Sequence, residues 1–116
     1  MDAEHIKLYQ KCIELWGSES QLIMLMEECA ELIQASSKYY RTGETDELLN
    51  EMADVLIMIE QVLTVFSLDM DVLDTIKQEK LNLLQERLVK YNRDNLTLIP
   101  QEAHENHNET TQSSLE

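Results

Sequence analysis

A chain of 116 residues, 43% of them apolar, is long enough for one core and too short for two ordinary domains. Only two Gly and one Pro interrupt it, which argues against a turn-rich β fold and for long helices. The formal net charge of −14 argues against a nucleic-acid polymer or an anionic membrane as partner, because both select basic surfaces.

Apolar residues recur at helical spacing in four segments, which predicts helices over about 2–16, 18–40, 45–67 and 69–92. The first carries Ile6, Tyr9, Cys12 or Ile13, and Trp16, the last read as core in preference to a base-stacking platform, and Gly17 ends it. Ser18-Glu19-Ser20-Gln21 fits a capping box opening the second. Its expected buried stripe is Leu22, Leu25, Met26, Cys29, Leu32 and Ile33. Gly43 then supplies a stop and Thr45 a cap for the third helix.

That third helix places Leu48, Met52, Val55, Leu56, Ile59, Val62, Leu63 and Phe66 along one face, and Ile57 and Met58 widen the apolar surface. A helix that is apolar on two faces is normally buried on two faces. The second cover is expected from another subunit, giving a homo-dimer or tetramer. After Ser67-Leu68-Asp69, with Ser67 or Asp69 as cap, the fourth helix runs through Val72, Leu73, Ile76, Leu83, Leu84 and Leu88 and holds most of the basic residues. From Asp94 to Glu116 the chain has five acids and no Lys or Arg, the composition of a disordered tail. The expected organisation is a helical domain over 1–93 and a polar acidic tail over 94–116, in an all-α, four-helix-bundle class.

No apolar run approaches the ~20 residues of a membrane span, and the first residues lack a charged-then-apolar signal pattern. Cys12 and Cys29 are too few for a disulfide framework and fall at apolar helical positions. They read as reduced, buried thiols, and the expected location is cytoplasmic. Most of the six Met are expected to fill the core.

Two acidic pairs, Glu28/Glu31 and Glu51/Asp54, are each spaced three residues apart, one turn on one helix face. At ~100° per residue, Glu51 falls inside the apolar arc of its helix, with Glu47 and Asp54 beside it. Glu28 borders the apolar arc of the second helix, and Glu31 and Glu27 lie farther round. A carboxylate at an apolar border loses hydration unless it is neutralised, and no Lys or Arg lies one turn from Glu51 or Asp54. A hard divalent cation held between two helices by Glu28, Glu31, Glu51 and Asp54 is the simplest answer. Glu27 and Glu47 read either as outer groups or as solvated neighbours.

Other motifs fail on inspection. Asp69-Met70-Asp71 resembles the opening of a calcium loop, but Leu73, Asp74 and Lys80 occupy positions that need a ligand, the turn Gly and a bidentate Glu. His104 and His107 stand in the tail without a core around them, and the sequons at Asn95 and Asn108 lack a secretory route.

Met26-Glu27-Glu28-Cys29-Ala30-Glu31-Leu32 and Glu51-Met52-Ala53-Asp54-Val55-Leu56-Ile57 resemble the ExxE…ExxD signature of the MazG-type, all-α nucleoside triphosphate pyrophosphohydrolases. The resemblance covers roughly Trp16 to Arg87. It implies a Mg²⁺-dependent (or Mn²⁺-dependent) enzyme that cleaves a nucleoside triphosphate between the α- and β-phosphates, with Glu28, Glu31, Glu51 and Asp54 as metal ligands. It also implies phosphate contacts from Lys80 and Arg87 on the following helix, although Leu83 and Leu84 stand where many members carry a base. The water-orienting carboxylate is one of the four acids or Glu27, with Glu27 and Glu28 the catalytic candidates. Two rivals stand beside this expectation. One is a non-catalytic helical interaction module with an acidic strip. The other is the same fold acting on a deoxynucleotide or a guanosine polyphosphate.

Overall fold

The computed structural model describes residues 1–96, of which those in regular structure are all helical. The helices are α1 (Ala3–Trp16), α2 (Ser18–Thr42), α3 (Asp46–Val65) and α4 (Met70–Leu96). All four predicted helices are present, with ends shifted by a few residues. The fourth runs past 93 to Leu96, so the boundary expected there falls inside a helix. The rest of the expected tail, with His104 and His107, lies outside the described residues. No described helix is long and apolar enough to cross a membrane.

The chain divides into two compact units, Met1–Met70 and Asp71–Glu116. In the first, α2 packs most extensively on α3, and α1 lies mainly against α3. The α2–α3 connection is only Gly43, Glu44 and Thr45, which forces an antiparallel pair. Gly43 makes this hairpin possible. It caps α2 in the left-handed region at φ 74° and ψ 10°, and its N–H donates to the Tyr39 carbonyl at 2.8 Å.

The start of α2 differs from expectation. Ser18 already lies inside the helix, Gly17 (φ 81°) is its N-cap, and no side chain caps it. The Ser20 hydroxyl instead donates back to the carbonyls of Trp16 (2.6 Å) or Gly17 (2.9 Å), and Gln21 is fully buried. A glycine in an extended left-handed turn replaces the capping box as the means of entry. Thr45 precedes α3 but likewise makes no side-chain cap bond. At α1, Asp2 does cap, its Oδ1 accepting from the Glu4 N–H at 2.8 Å.

The core contains Tyr9, Ala35, Met58 and Leu63, with two buried amides, Gln21 and Gln61. Tyr9 donates its hydroxyl to Glu60 Oε1 at 3.2 Å, tying α1 to α3. Burial, then this carboxylate, raise the pKa of the phenol.

The stripe that α2 buries shares only Leu25 and Leu32 with the one expected. Gln21, Leu25, Glu28, Leu32, Ala35 and Lys38 are buried or half-buried, whereas Leu22, Met26, Cys29 and Ile33 are exposed. The two stripes are offset by one residue, about 100° on the helix, and packing against α3 selects the more polar one. Trp16 is also exposed, not core, because it sits at the last position of α1 where the chain turns away. Neither thiol is buried as expected: Cys12 is half-buried and Cys29 is exposed, on the outward stripe. The methionines divide similarly: Met58 is core, while Met24, Met26 and Met52 are exposed.

Gly43→Ala tests the hairpin. A Cβ at Gly43 meets nothing within 4 Å, so the only penalty is the left-handed backbone. The expected loss is about 1 kcal/mol in urea denaturation, with Gly43→Asn losing less. No loss for Gly43→Ala would mean that the turn relaxes freely.

Candidate metal centre

Antiparallel packing of α2 on α3 carries Glu28 to the side of Glu51 and Asp54. One ligand oxygen from each of the three lies within 4.8 Å of the others, and all three residues are half-buried. Glu31, one turn on from Glu28, is exposed but close enough for hydrogen bonding and charge repulsion with both Glu28 and Glu51. Of the four acids that the sequence singles out, the structure brings Glu28, Glu51 and Asp54 together, and Glu31 adjoins them.

The cluster is electrostatically uncomfortable without a cation. Burial, then the charges of Glu31, Asp54 and Glu51, push the Glu28 carboxyl up to about 7. Glu51 is raised by the same causes, burial first and Glu31 next, while Asn50 acts in the opposite direction. The Oε2 atoms of both Glu28 and Glu51 are enclosed and have no hydrogen-bond partner. The nearest ion pairs lie farther along the hairpin, where Lys38 Nζ meets Glu47 Oε1 at 2.8 Å and Glu44 Oε2 at 3.3 Å.

These residues fit a hard divalent cation. Mg²⁺ takes oxygen ligands at 2.0–2.1 Å in an octahedron, so neighbouring ligand atoms stand about 3 Å apart and opposite ones about 4 Å. Three carboxylate oxygens within 4.8 Å of one another are near enough to converge on one such ion. An all-oxygen donor set without His or Cys suits Mg²⁺ or Mn²⁺ better than Zn²⁺ or Cu²⁺. Enclosed oxygens without partners are the groups a cation would satisfy.

Beside the acids an open groove of about 780 Å³ runs along the hairpin, lined by Glu31, Ile33, Gln34, Ala35, Ser37, Lys38, Arg41, Glu47 and Glu51. Glu47, left open in the sequence as an outer group or a solvated neighbour, is a groove residue paired with Lys38. Glu27 is exposed on α2. Lys80 and Arg87 are exposed on α4, in the second unit. The sequence reading did not pick out Lys38 and Arg41. The available signal was that Lys38 follows Glu31 by seven residues, two turns along one face.

No protein-family model, curated protein or solved structure matches this chain.

The shifted carboxyls make a pH prediction. Between the ordinary value of 4.5 and about 7, folded Glu28 holds a proton that the unfolded chain has released. The folded state then binds more protons, so its stability falls as pH rises through this window. Without divalent ions the melting temperature should drop by several degrees from pH 5 to pH 8. Glu28→Gln should flatten the slope, and Mg²⁺ should restore the loss at pH 8. A melting temperature indifferent to pH in metal-free wild type would contradict the electrostatics described.

Proposed function

We propose that this protein is a divalent-metal-dependent hydrolase of nucleoside triphosphates, releasing a nucleoside monophosphate and pyrophosphate. The observation that carries the proposal is the half-buried meeting of Glu28, Glu51 and Asp54, with Glu31 adjoining and two enclosed oxygens unpartnered. The resemblance to the MazG-type enzymes supplies the reaction and the all-α bundle architecture. It also adds Lys80 and Arg87 of α4 as phosphate-binding groups.

Glu28, Glu31, Glu51 and Asp54 would hold Mg²⁺, which supplies charge neutralisation on the phosphate oxygens and lowers the cost of generating a hydroxide-like nucleophile. The chain's own residues then divide the work. The water oxygen bonds to the α-phosphorus, the bond to the αβ-bridging oxygen breaks, and pyrophosphate leaves with that oxygen. A carboxylate takes the water's proton. Glu27 and Glu28 are the candidates for that role. The reading extends to a cytoplasmic homo-dimer or tetramer. The exposed apolar residues Leu22, Met26 and Ile33 of α2 and Leu56 and Ile57 of α3 support an interface.

Those same exposed residues favour the rival reading, a non-catalytic interaction module. Asp54→Asn separates the two. The amide preserves shape, relieves repulsion and is a poor ligand for a hard cation. Melting temperature without metal should hold or rise, while Mg²⁺-dependent pyrophosphate release, screened over a panel of nucleoside triphosphates, should fall at least ~100-fold. Glu14→Gln on exposed α1 is the charge-matched control and should change neither. Full activity in Asp54→Asn would remove the metal-site assignment, and a wild type inert across the panel would favour the interaction module.

A further inference from the structure

Two buried residues of the first unit are amides that the metal centre does not use. Gln21 is fully buried although it stands near the start of α2, and Gln61 is buried on α3. The Gln21 amide nitrogen donates to the neighbouring Ser20 hydroxyl at a long 3.4 Å, and its enclosed Oε1 has no hydrogen-bond partner.

The register of the hairpin brings the two amides level. Lys38 meets Glu47 near the turn, and farther along a Glu28 oxygen comes within 4.8 Å of one from Asp54. In an antiparallel pair, equal steps backwards on one helix and forwards on the other stay level. Gln21 stands seven residues before Glu28, and Gln61 stands seven after Asp54. Seven residues are almost two full turns, so each amide repeats the face of its acid, roughly 10 Å along the seam.

We propose that Gln21 and Gln61 are positioning residues, whose amides pair across the seam and key α2 to α3 in the register that converges the carboxylates. Their purpose rests on the metal-centre reading, while the pairing itself needs no metal.

A key is needed because α2 offers two faces. Leu22, Met26, Cys29 and Ile33 form an apolar stripe one residue round from the buried one. Burying that stripe would gain apolar area, and turning Glu28 away would relieve repulsion among acids held within 4.8 Å. Without a cation, both effects favour the other face. Paired amides oppose the rotation, because turning α2 leaves the buried Gln61 against an apolar side chain with its hydrogen bonds unmade. A polar residue fixes register in a coiled-coil seam in the same way, at a cost in stability. The ordinary alternative makes the amides space-filling residues of the core. Metal affinity would then simply follow stability.

Two measurements on the full chain test the proposal. Without metal, nuclear Overhauser spectra should place the side-chain amide protons of Gln21 beside those of Gln61. Absence of that contact overturns the pairing. Mn²⁺ affinity and melting temperature are then compared for Gln61→Leu and for the double variant Gln21→Leu, Gln61→Leu. The single variant should melt several degrees lower, because Gln21 loses its donor. The double variant should recover the wild-type melting temperature, since both partners are then apolar, yet bind Mn²⁺ about tenfold more weakly or worse. Gln10→Leu, an exposed amide on α1, should change neither quantity. A double variant that melts and binds Mn²⁺ as wild type does overturns the inference and leaves the metal centre standing. Should the double variant fail to fold, the Overhauser contact decides. A wild type that shows the contact but binds no Mn²⁺ removes the metal centre and keeps the pairing.

Discussion

Carboxylates held within 4.8 Å of one another in a half-enclosed seam repel, and the first unit is arranged so that this repulsion persists. Relief at the seam itself is slight, with Asn50 acting against the upward shift of Glu51. Lys38 is spent on Glu44 and Glu47 at the hairpin end, and the enclosed oxygens of Glu28 and Glu51 accept from nothing. A folded state that keeps such a cluster gives up stability that another side chain would recover. That loss is what the proposed cation would recover.

Two backbone features hold the seam in place. The three-residue turn after α2, with Gly43 in the left-handed region, fixes the antiparallel direction of α3. It therefore sets which acids meet: Glu28 beside Glu51 and Asp54, and Lys38 beside Glu44 and Glu47. At the other end of α3, the Tyr9–Glu60 hydrogen bond ties α1 over the helix. Packing spends the polar stripe of α2 inside and leaves Leu22, Met26 and Ile33 outside. This is an unusual distribution for a lone protomer, and it is the one a proposed homo-oligomer would use.

The acids were legible because two independent patterns in the sequence agree on them. Spacing puts Glu28 with Glu31 and Glu51 with Asp54, and angular position puts Glu28, Glu51 and Asp54 at the edge of an apolar arc. The four helices were legible for a related reason, since long 3.6-residue periodicity broken by Gly17 and Gly43 leaves little freedom. What periodicity could not decide was which of two adjacent apolar stripes the protomer buries. Met26, Cys29 and Ile33 are as regular as Leu25 and Leu32, and the choice is made by partner surfaces. The capping box at Ser18 failed because Gly17 and the back-bonded Ser20 offered a different entry to α2. Lys38 and Arg41 were missed because groove membership depends on the register of α2 against α3, which is a tertiary property.

The claim on which this account depends is that the four acids form one cation site, and Mn²⁺ binding followed by electron paramagnetic resonance addresses it without reference to any substrate. Wild type at pH 8 should show saturable loss of the free-ion signal. Glu51→Gln, which removes the charge at an enclosed and unpartnered oxygen, should weaken the affinity at least tenfold while the chain stays helical. Glu14→Gln should bind as wild type does. Mn²⁺ binding of equal strength in wild type and Glu51→Gln, or no saturable binding at all, would contradict the account.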